Sequence, residues 1–393
     1  MTSPRTVVIA GAGIGGLTAA VALAQRGFLV SVIEQAEQLE AIGAGVQLSP
    51  NASRLLIALG LGERLAPYVV APQALNVMNA RSGRVLARAS LADAAQRYGA
   101  PFWVIHRGDL HTVLHEEMAA TGRVTLQLGT RVEDVAVHGN GVTVAGWRNM
   151  EAVDAQGCAV IGADGLWSVL RSRLTHAEEP RFARHTAWRT LVPAEVVSPA
   201  LRAPTVNLWL GRHAHLVHYP VRGGRLVNVV AIVRDDWREA GWSAAGDRTE
   251  IAERFSAGRW HAAPRALIGA ATQWQKWALY DCAPLKHWGQ GPVTLLGDAA
   301  HPMLPYLAQG AAMAIEDAAV LATCLAQAPA DAPAALRSYE AKRLKRTART
   351  QIAARRNGTV YHMGGALRTL AISAMGGTRL LRRYDWLYGW QPD

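Results

Sequence analysis

Thr6-Val7-Val8-Ile9-Ala10-Gly11-Ala12-Gly13-Ile14-Gly15-Gly16, continued to Leu29-Val30-Ser31-Val32-Ile33-Glu34, is the stretch whose reading decides the fold. Thr6–Ala10 is a short β-branched run, Gly16–Arg26 is an alanine-rich helical pattern stopped by Gly27, and Phe28–Glu34 is a second strand. Strand, glycine turn, helix, strand is the βαβ unit of a parallel sheet. By length, the 18 residues Val7–Ala24 could pass for a membrane helix or a signal peptide. Four glycines within six residues argue otherwise, because each costs a helix about 1 kcal/mol. Gly11, Gly13, Gly15 and Gly16 instead fit G-x-G-x-x-G. Gly11 makes the tight turn, Gly13 lets backbone approach a pyrophosphate, and Gly16 permits close helix–strand packing. The helix N-terminus attracts phosphate charge. Glu34, 21 residues past Gly13, stands where a carboxylate holds ribose hydroxyls.

Two distant stretches extend this reading. Gly162-Ala163-Asp164-Gly165, with Ser168 and Arg171, follows the apolar run Cys158–Gly162. Taken alone it fits an ordinary strand-to-helix turn capped by Ser168 as well as it fits a ligand loop. Gly297-Asp298-Ala299-Ala300-His301-Pro302 ends another apolar strand, Val293–Gly297, and leads through Pro305 to a helix opening at Gly310 and Ala311. A carboxylate at a strand end must find donors. The free N–H groups of the Gly310 helix point positive dipole at whatever precedes them.

Composition bounds the rest. The chain has 393 residues, half of them hydrophobic and 18% charged, which allows two or three domains and excludes general disorder. Three scattered cysteines exclude a disulfide framework and, with no other apolar stretch long enough to span a bilayer, point to a cytoplasmic protein. No cysteine spacing suits a metal. The net charge of +11 resides entirely in Arg337–Arg383, which holds 12 basic residues against Glu340. Without interleaved aromatics at Arg343–Arg349 this reads as a solvated helix face rather than a nucleic-acid surface. Between His176 and Tyr280 alternating strands separated by Pro and Gly turns predict an antiparallel sheet inserted in the parallel one. Helical patterns cover Asn51–Leu59, Gly108–Ala120 and Ala334–Arg356, and Val132–His138 with Val142–Trp147 predicts a hairpin turning at Gly139-Asn140-Gly141.

Together the three glycine-acid stretches resemble the three FAD fingerprints of the single-component flavin aromatic hydroxylases, the para-hydroxybenzoate hydroxylase fold family. The resemblance covers nearly the whole chain. Gly43–Asn51, His106-Arg107-Gly108-Asp109-Leu110, Gly310–Met313 and Arg382–Tyr388 are similar to the salicylate, 3-hydroxybenzoate 6- and 6-hydroxynicotinate hydroxylase branch. It implies an α/β fold with a Rossmann-type FAD-binding domain (1–175 with 281–330), an inserted antiparallel-sheet substrate domain (176–280) and a C-terminal helical region (331–393). It implies tightly but non-covalently bound FAD, held by the Gly11–Gly16 turn, Glu34, Arg107, Asp164, Asp298 and the Gly310–Ala311 helix start. NADH or NADPH would be co-substrate without a Rossmann domain of its own. The activity implied is hydroxylation of a small hydroxylated aromatic acid with O2 through a flavin 4a-hydroperoxide, and the family leads one to expect a homodimer.

On the strand His215-Leu216-Val217-His218-Tyr219, alternation places His215 and Tyr219 on one face and His218 on the other, which argues against a histidine metal site. The resemblance makes His215 the base or acceptor for the substrate hydroxyl and Tyr219 the residue that orients the ring; His213, His215 and His218 also fit satisfied polar residues of a half-exposed sheet. Gln47, His301, Pro305 and Tyr306 are expected at the pocket. Pro305 stands where 3-hydroxybenzoate enzymes carry a polar residue, and Gln47 where hydroxynicotinate enzymes carry histidine. A flavin epoxidase or another flavoprotein monooxygenase on a non-benzoate substrate is the competing enzyme class. A non-enzymatic nucleotide-binding module would leave the second and third stretches unexplained.

Overall fold

The computed structural model describes residues 6–39, 44–139, 141–175, 177–237, 243–363, 372 and 381–392. The quoted stretch forms the βαβ unit: strand Thr6–Ala10, helix Ile14–Ala24 and strand Leu29–Ile33, the two strands parallel in direct register. They are the centre of a five-stranded parallel sheet in the order Val293–Leu295, Ala159–Gly162, Thr6–Ala10, Leu29–Ile33, Val124–Gln127. Its strands are mostly apolar because it is packed on both faces, by helices and by the three-stranded meander Thr130–His138, Gly141–Arg148 and Glu151–Gly157. The helix Ile14–Ala24 is buried along nearly its whole length, wedged between the sheet and the helix Gly310–Gln327.

Gly310–Gln327 is long and apolar enough to cross a bilayer, with a mean hydropathy of 1.2 over 18 residues, a second such stretch that the sequence reading passed over. Most of it is buried inside the protein, as befits a core helix.

The second large element is an eight-stranded sheet, antiparallel at every pairing except one. Its order is Ser243–Gly246, Trp274–Asp281, Arg181–Pro193, Leu226–Arg234, Ala214–Val221, Thr205–Leu210, Ala74–Asn79, Val85–Ser90. The parallel exception joins Thr205–Leu210 to Ala74–Asn79. Two of its strands thus come from the first hundred residues, so the sheet is not built from the inserted segment alone. Short strands interrupted by polar residues at 74–90 carry a weak periodic signal, and the pairing is decided by long-range packing.

The expected hairpin is a three-stranded meander, Thr130–His138, Gly141–Arg148 and Glu151–Gly157. Its turn residue Asn140, like Gly43, lies outside the described residues. A two-stranded ribbon, Gly45–Leu48 with Trp103–His106, bridges the two large sheets.

The basic C-terminal helix, Ala332–His362, is not simply solvated. Arg343 is completely buried, with Nη1 2.6 Å from Glu316 and Nε 2.6 Å from Asp317, while Arg346 makes two further bonds to Glu316. Burial lowers and the two carboxylates raise its pKa, and the carboxylates win, so Arg343 stays charged. The charge run pairs, in part, with acids on the helix beneath it. Spacing within the run could not reveal partners that precede it by about thirty residues.

Candidate active site

The three glycine-acid stretches meet at the carboxyl ends of the parallel strands. Gly11 has φ +108°, and a Cβ there would lie 2.3 Å from Ala163 O. A Cβ on Gly16 would lie 2.0 Å from Gly11 O, and one on Gly15 2.6 Å from the Leu296 side chain. These three glycines are consumed by close packing within the protein. At Gly13 nothing among the described residues approaches within 4 Å of the missing Cβ. The fingerprint therefore presents one open backbone position at a helix N-terminus, the cradle a diphosphate needs. Glu34 accepts from Ala12 N at 2.7 Å and from Ala36 N at 2.9 Å, which fixes its carboxylate at the rim of the same cradle.

Asp164 serves a nearer purpose. Its carboxylate accepts from Ser168 Oγ at 2.6 Å and from Leu170 N at 3.1 Å, and Ser168 Oγ in turn accepts from Arg171 N. This caps the helix Val169–Thr175. Burial raises the pKa of Asp164 and those donors oppose the rise. Arg171 reaches across to the carbonyl oxygens of Asp298 and Ala299, at 3.3 and 3.2 Å, and so ties the second stretch to the third.

Behind the third stretch, Asp317 anchors the turn. It accepts from Gly297 N at 3.0 Å, lies 2.5 Å from His301 Nε2 and pairs with Arg343. Burial alone would raise the Asp317 pKa, but His301 and Arg343 hold it below the usual carboxylate range. His301 is thereby spent on the anchor, buried against Trp288, and is on the wall of neither cavity described below. Asp298 itself faces open space. Protein encloses it on its other sides and raises its pKa, while His301, Arg107 and Arg171 oppose the rise.

That open space is a cleft of about 1040 Å³ with Gly13, Glu34, Arg107, Arg189, Asp298 and Pro305 on its walls. Its volume and its mixture of free backbone, two arginines (Arg107, Arg189) and three carboxylates (Glu34, Glu37, Asp298) fit a dinucleotide. Burial lowers the pKa of Arg107, with Asp298 opposing. The helix Gly310–Gln327 begins beside it, with Asp298 Oδ1 3.8 Å from where a Gly310 Cβ would stand. The first N–H groups of that helix, those of Gly310 and Ala311 included, have no acceptor in the preceding turn of the helix.

A second, smaller cavity of about 130 Å³ lies against the eight-stranded sheet, and Pro305 belongs to the walls of both. Gln47, His215, Tyr306 and Ala308 line it amid Leu, Val and Tyr side chains. Ala308, at φ +52°, holds a left-handed conformation on the turn that leads into Gly310. His215 is buried, and burial first, then His362 and His185, lower its pKa well below that of a free imidazole. The Tyr306 hydroxyl is buried without a hydrogen-bond partner among the described residues. Tyr219 sits one step removed. Its ring packs where a Gly45 Cβ would be, 2.5 Å away, and its hydroxyl bonds Gln47. His218, on the opposite face, is buried beside Trp209 with its pKa pushed down to about 4.

Residues 5–354 match the family described as FAD binding domain. The chain is 36% identical to 3-hydroxybenzoate 6-hydroxylase of Klebsiella oxytoca, over 100% of this chain and 98% of that protein. It is 39% identical to 3-amino-4-hydroxybenzoate 2-monooxygenase PtnB3 of Streptomyces platensis, over 99% and 96%. The crystal structure of Klebsiella pneumoniae HpxO complexed with FAD and uric acid superposes with a TM-score of 0.86, at 28% identity, over 98% and 96% of the two chains. The open glycine cradle, the large cleft and the ring-sized cavity beside it accord with these matches. The chain belongs to the FAD binding domain family, among its FAD-dependent monooxygenases of hydroxylated aromatic acids.

Proposed function

We propose that the protein hydroxylates a monohydroxylated benzoate, with 3-hydroxybenzoate the leading candidate, at the electron-rich position para to its hydroxyl. The observation that carries this reading is the 130 Å³ cavity with His215 and the unpartnered Tyr306 hydroxyl on its wall, sharing Pro305 with the cleft. An apolar protein cavity of roughly 150 Å³ accommodates a benzene ring. The volume thus suits one small ring.

FAD, with electrons from NAD(P)H, supplies an activated oxygen when bound. The residues of this chain supply placement and proton chemistry. The Gly13 backbone, Glu34 and Arg107 would hold the dinucleotide, and Asp298 with the Gly310–Ala311 helix start would hold its flavin half. His215, kept neutral by burial, accepts the proton of the ring hydroxyl and makes the ring a stronger nucleophile. Tyr306 donates to a polar group of the bound acid. Arg383, also on the cavity wall, offers a cation for the carboxylate. The Tyr219–Gln47 bond fixes Gln47 as part of that wall. Leucines and valines around the ring keep water from the reacting atoms.

The test is NADH and NADPH oxidation with product identification across 3-hydroxybenzoate, salicylate, 4-hydroxybenzoate and 6-hydroxynicotinate. We expect 3-hydroxybenzoate to give 2,5-dihydroxybenzoate with the best kcat/KM. Preference for the nicotinate, or peroxide release without product from every benzoate, would reject the assignment.

A further inference from the structure

His215 does not stand alone. Its Nδ1 lies 3.0 Å from Nε2 of His362, the last residue of the long C-terminal helix. The His362 ring stacks on His185 at 4.4 Å between centroids with a 17° interplanar angle, and the Tyr306 ring stands edge-on to His362 at 5.4 Å. His185 Nδ1 lies 2.8 Å from the Ala183 carbonyl, so it donates there and its orientation is fixed. His215 is buried, whereas His362 and His185 are half-buried. Three imidazoles therefore lead from the wall of the small cavity to the edge of the protein.

Hydrogen bonding between two neutral imidazoles needs one N–H and one lone pair. With His215 neutral and Nδ1 donating to His362, its Nε2 carries the lone pair, the form a base requires. We propose that His362 is a positioning and relay residue, setting the tautomer of His215 and carrying onward the proton that His215 takes from the aromatic substrate. The inference rests on the reading of His215 given above. The phenolic O–H bond breaks and its electron pair stays on oxygen. Its proton goes to His215 Nε2, the Nδ1 proton of His215 passes to His362 Nε2, and a proton leaves His362 Nδ1 for water. One proton leaves the substrate and one enters solvent, and neither histidine accumulates charge. Without the second imidazole, His215 would have to hold a full positive charge in a buried site, which burial disfavours. The other groups facing this chain of rings are Tyr306 and Tyr361, with Asp281 near Tyr306, Arg383 near Tyr361 and Arg234 near His185. Of the groups around His215, His362 and His185 act on its charge.

The experiment follows ionisation of bound 3-hydroxybenzoate by the ultraviolet difference band of its phenolate, in oxidised holoenzyme where no turnover occurs. Wild type, His362→Ala, His362→Gln and His215→Ala are titrated with pH and mixed with ligand in a stopped-flow cell. The visible flavin band reports folding and cofactor retention. We expect His362→Ala to move the ionisation of bound ligand up by about one pH unit and to slow phenolate formation about tenfold or more, as loss of a general-base partner would. His362→Gln can accept the Nδ1 hydrogen bond but cannot carry the proton. It should keep the equilibrium near that of wild type while remaining slow. Wild-type rates in His362→Gln, or wild-type titration and rate in His362→Ala, would overturn the relay, provided His215→Ala loses both. Should His215→Ala also behave as wild type, or 3-hydroxybenzoate fail to bind any form, the underlying reading of the site falls instead.

Discussion

The two cavities on either side of Pro305 are built on different principles. The cleft is lined by backbone, by Glu34 and Asp298 just past the ends of parallel strands, and by Arg107 and Arg189 from a helix and the eight-stranded sheet. Its defining feature is an absence: among the described residues no atom lies near the missing Cβ of Gly13. The small cavity is lined by side chains from the ribbon at Gln47, the sheet at His215, the loop at Tyr306 and the C-terminal region at Arg383. A site made of backbone constrains residue type at fixed spacing, because only glycine tolerates φ +108° or a neighbour 2 Å from its Cβ position. A site made of side chains can be assembled from any segment the fold brings near. The first kind recurs across many chemistries, and the second decides which ring is accepted.

The largest contrast to test lies within the fingerprint itself. Gly16→Val places carbon against the Gly11 carbonyl, and we expect a protein that fails to accumulate in folded form. Gly13→Ala meets open space, so the apoprotein should melt within a degree or two of wild type while the purified protein loses most of its yellow colour. Equal loss of folding in both variants would show that Gly13, too, serves packing alone.

Moving to the small cavity, His215→Ala should retain the flavin band and lower hydroxylation about 10²–10⁴-fold, the range for removal of a general base. Turnover within a factor of two of wild type would leave the cavity without its base and return His215 to the role of a buried sheet residue.

What the sequence made legible divides along the same line. The glycine turn and four strands of the five-stranded sheet were readable because Gly11, Gly13, Gly16 and Glu34 obey local geometry and the strands are short apolar runs, whereas the edge strand Val124–Gln127 was not. The place of His215 on the cavity wall was readable through the alternation of its strand and through family resemblance. His362 was not, since nothing local distinguishes a histidine at the end of a basic helix from a solvated one. The strands Ala74–Asn79 and Val85–Ser90 were missed because they enter a sheet whose other members lie a hundred or more residues away. His301 follows the Gly297-Asp298 turn so closely that proximity suggested the pocket. The deciding contact, Asp317, lies 16 residues later on a different element and could not be weighed from spacing.

That anchor gives the next prediction, on the far side of the cleft wall. Asp317→Asn removes the charge facing buried Arg343 and His301. Breaking a buried pair in this way costs about 3–5 kcal/mol. The Asp317 pKa is depressed in the folded protein, so its contribution is fully present above the ordinary carboxylate pKa of about 3.9 and is lost as pH falls below it. Urea melts of apoprotein should therefore show a wide gap between wild type and variant at pH 7 that narrows steadily below about pH 4. A gap independent of pH would mean that the carboxamide disturbs packing and that the charge is immaterial.

The smallest effect carries the sharpest sign. Tyr306 holds a buried hydroxyl with no partner among the described residues, and leaving such a group unsatisfied costs a protein about 1–3 kcal/mol. If the bound acid provides the missing partner, Tyr306→Phe should weaken substrate binding about tenfold, equivalent to roughly 1.4 kcal/mol. The unliganded variant should melt no lower than wild type, since it removes an unsatisfied group without opening a cavity. A structural hydroxyl predicts the reverse pair of results, a lower melting temperature with unchanged KM. Measuring both on one preparation separates a residue shaped for its ligand from one shaped for its neighbours. For Tyr306 that is the difference between the lining of a chemical site and the lining of a core.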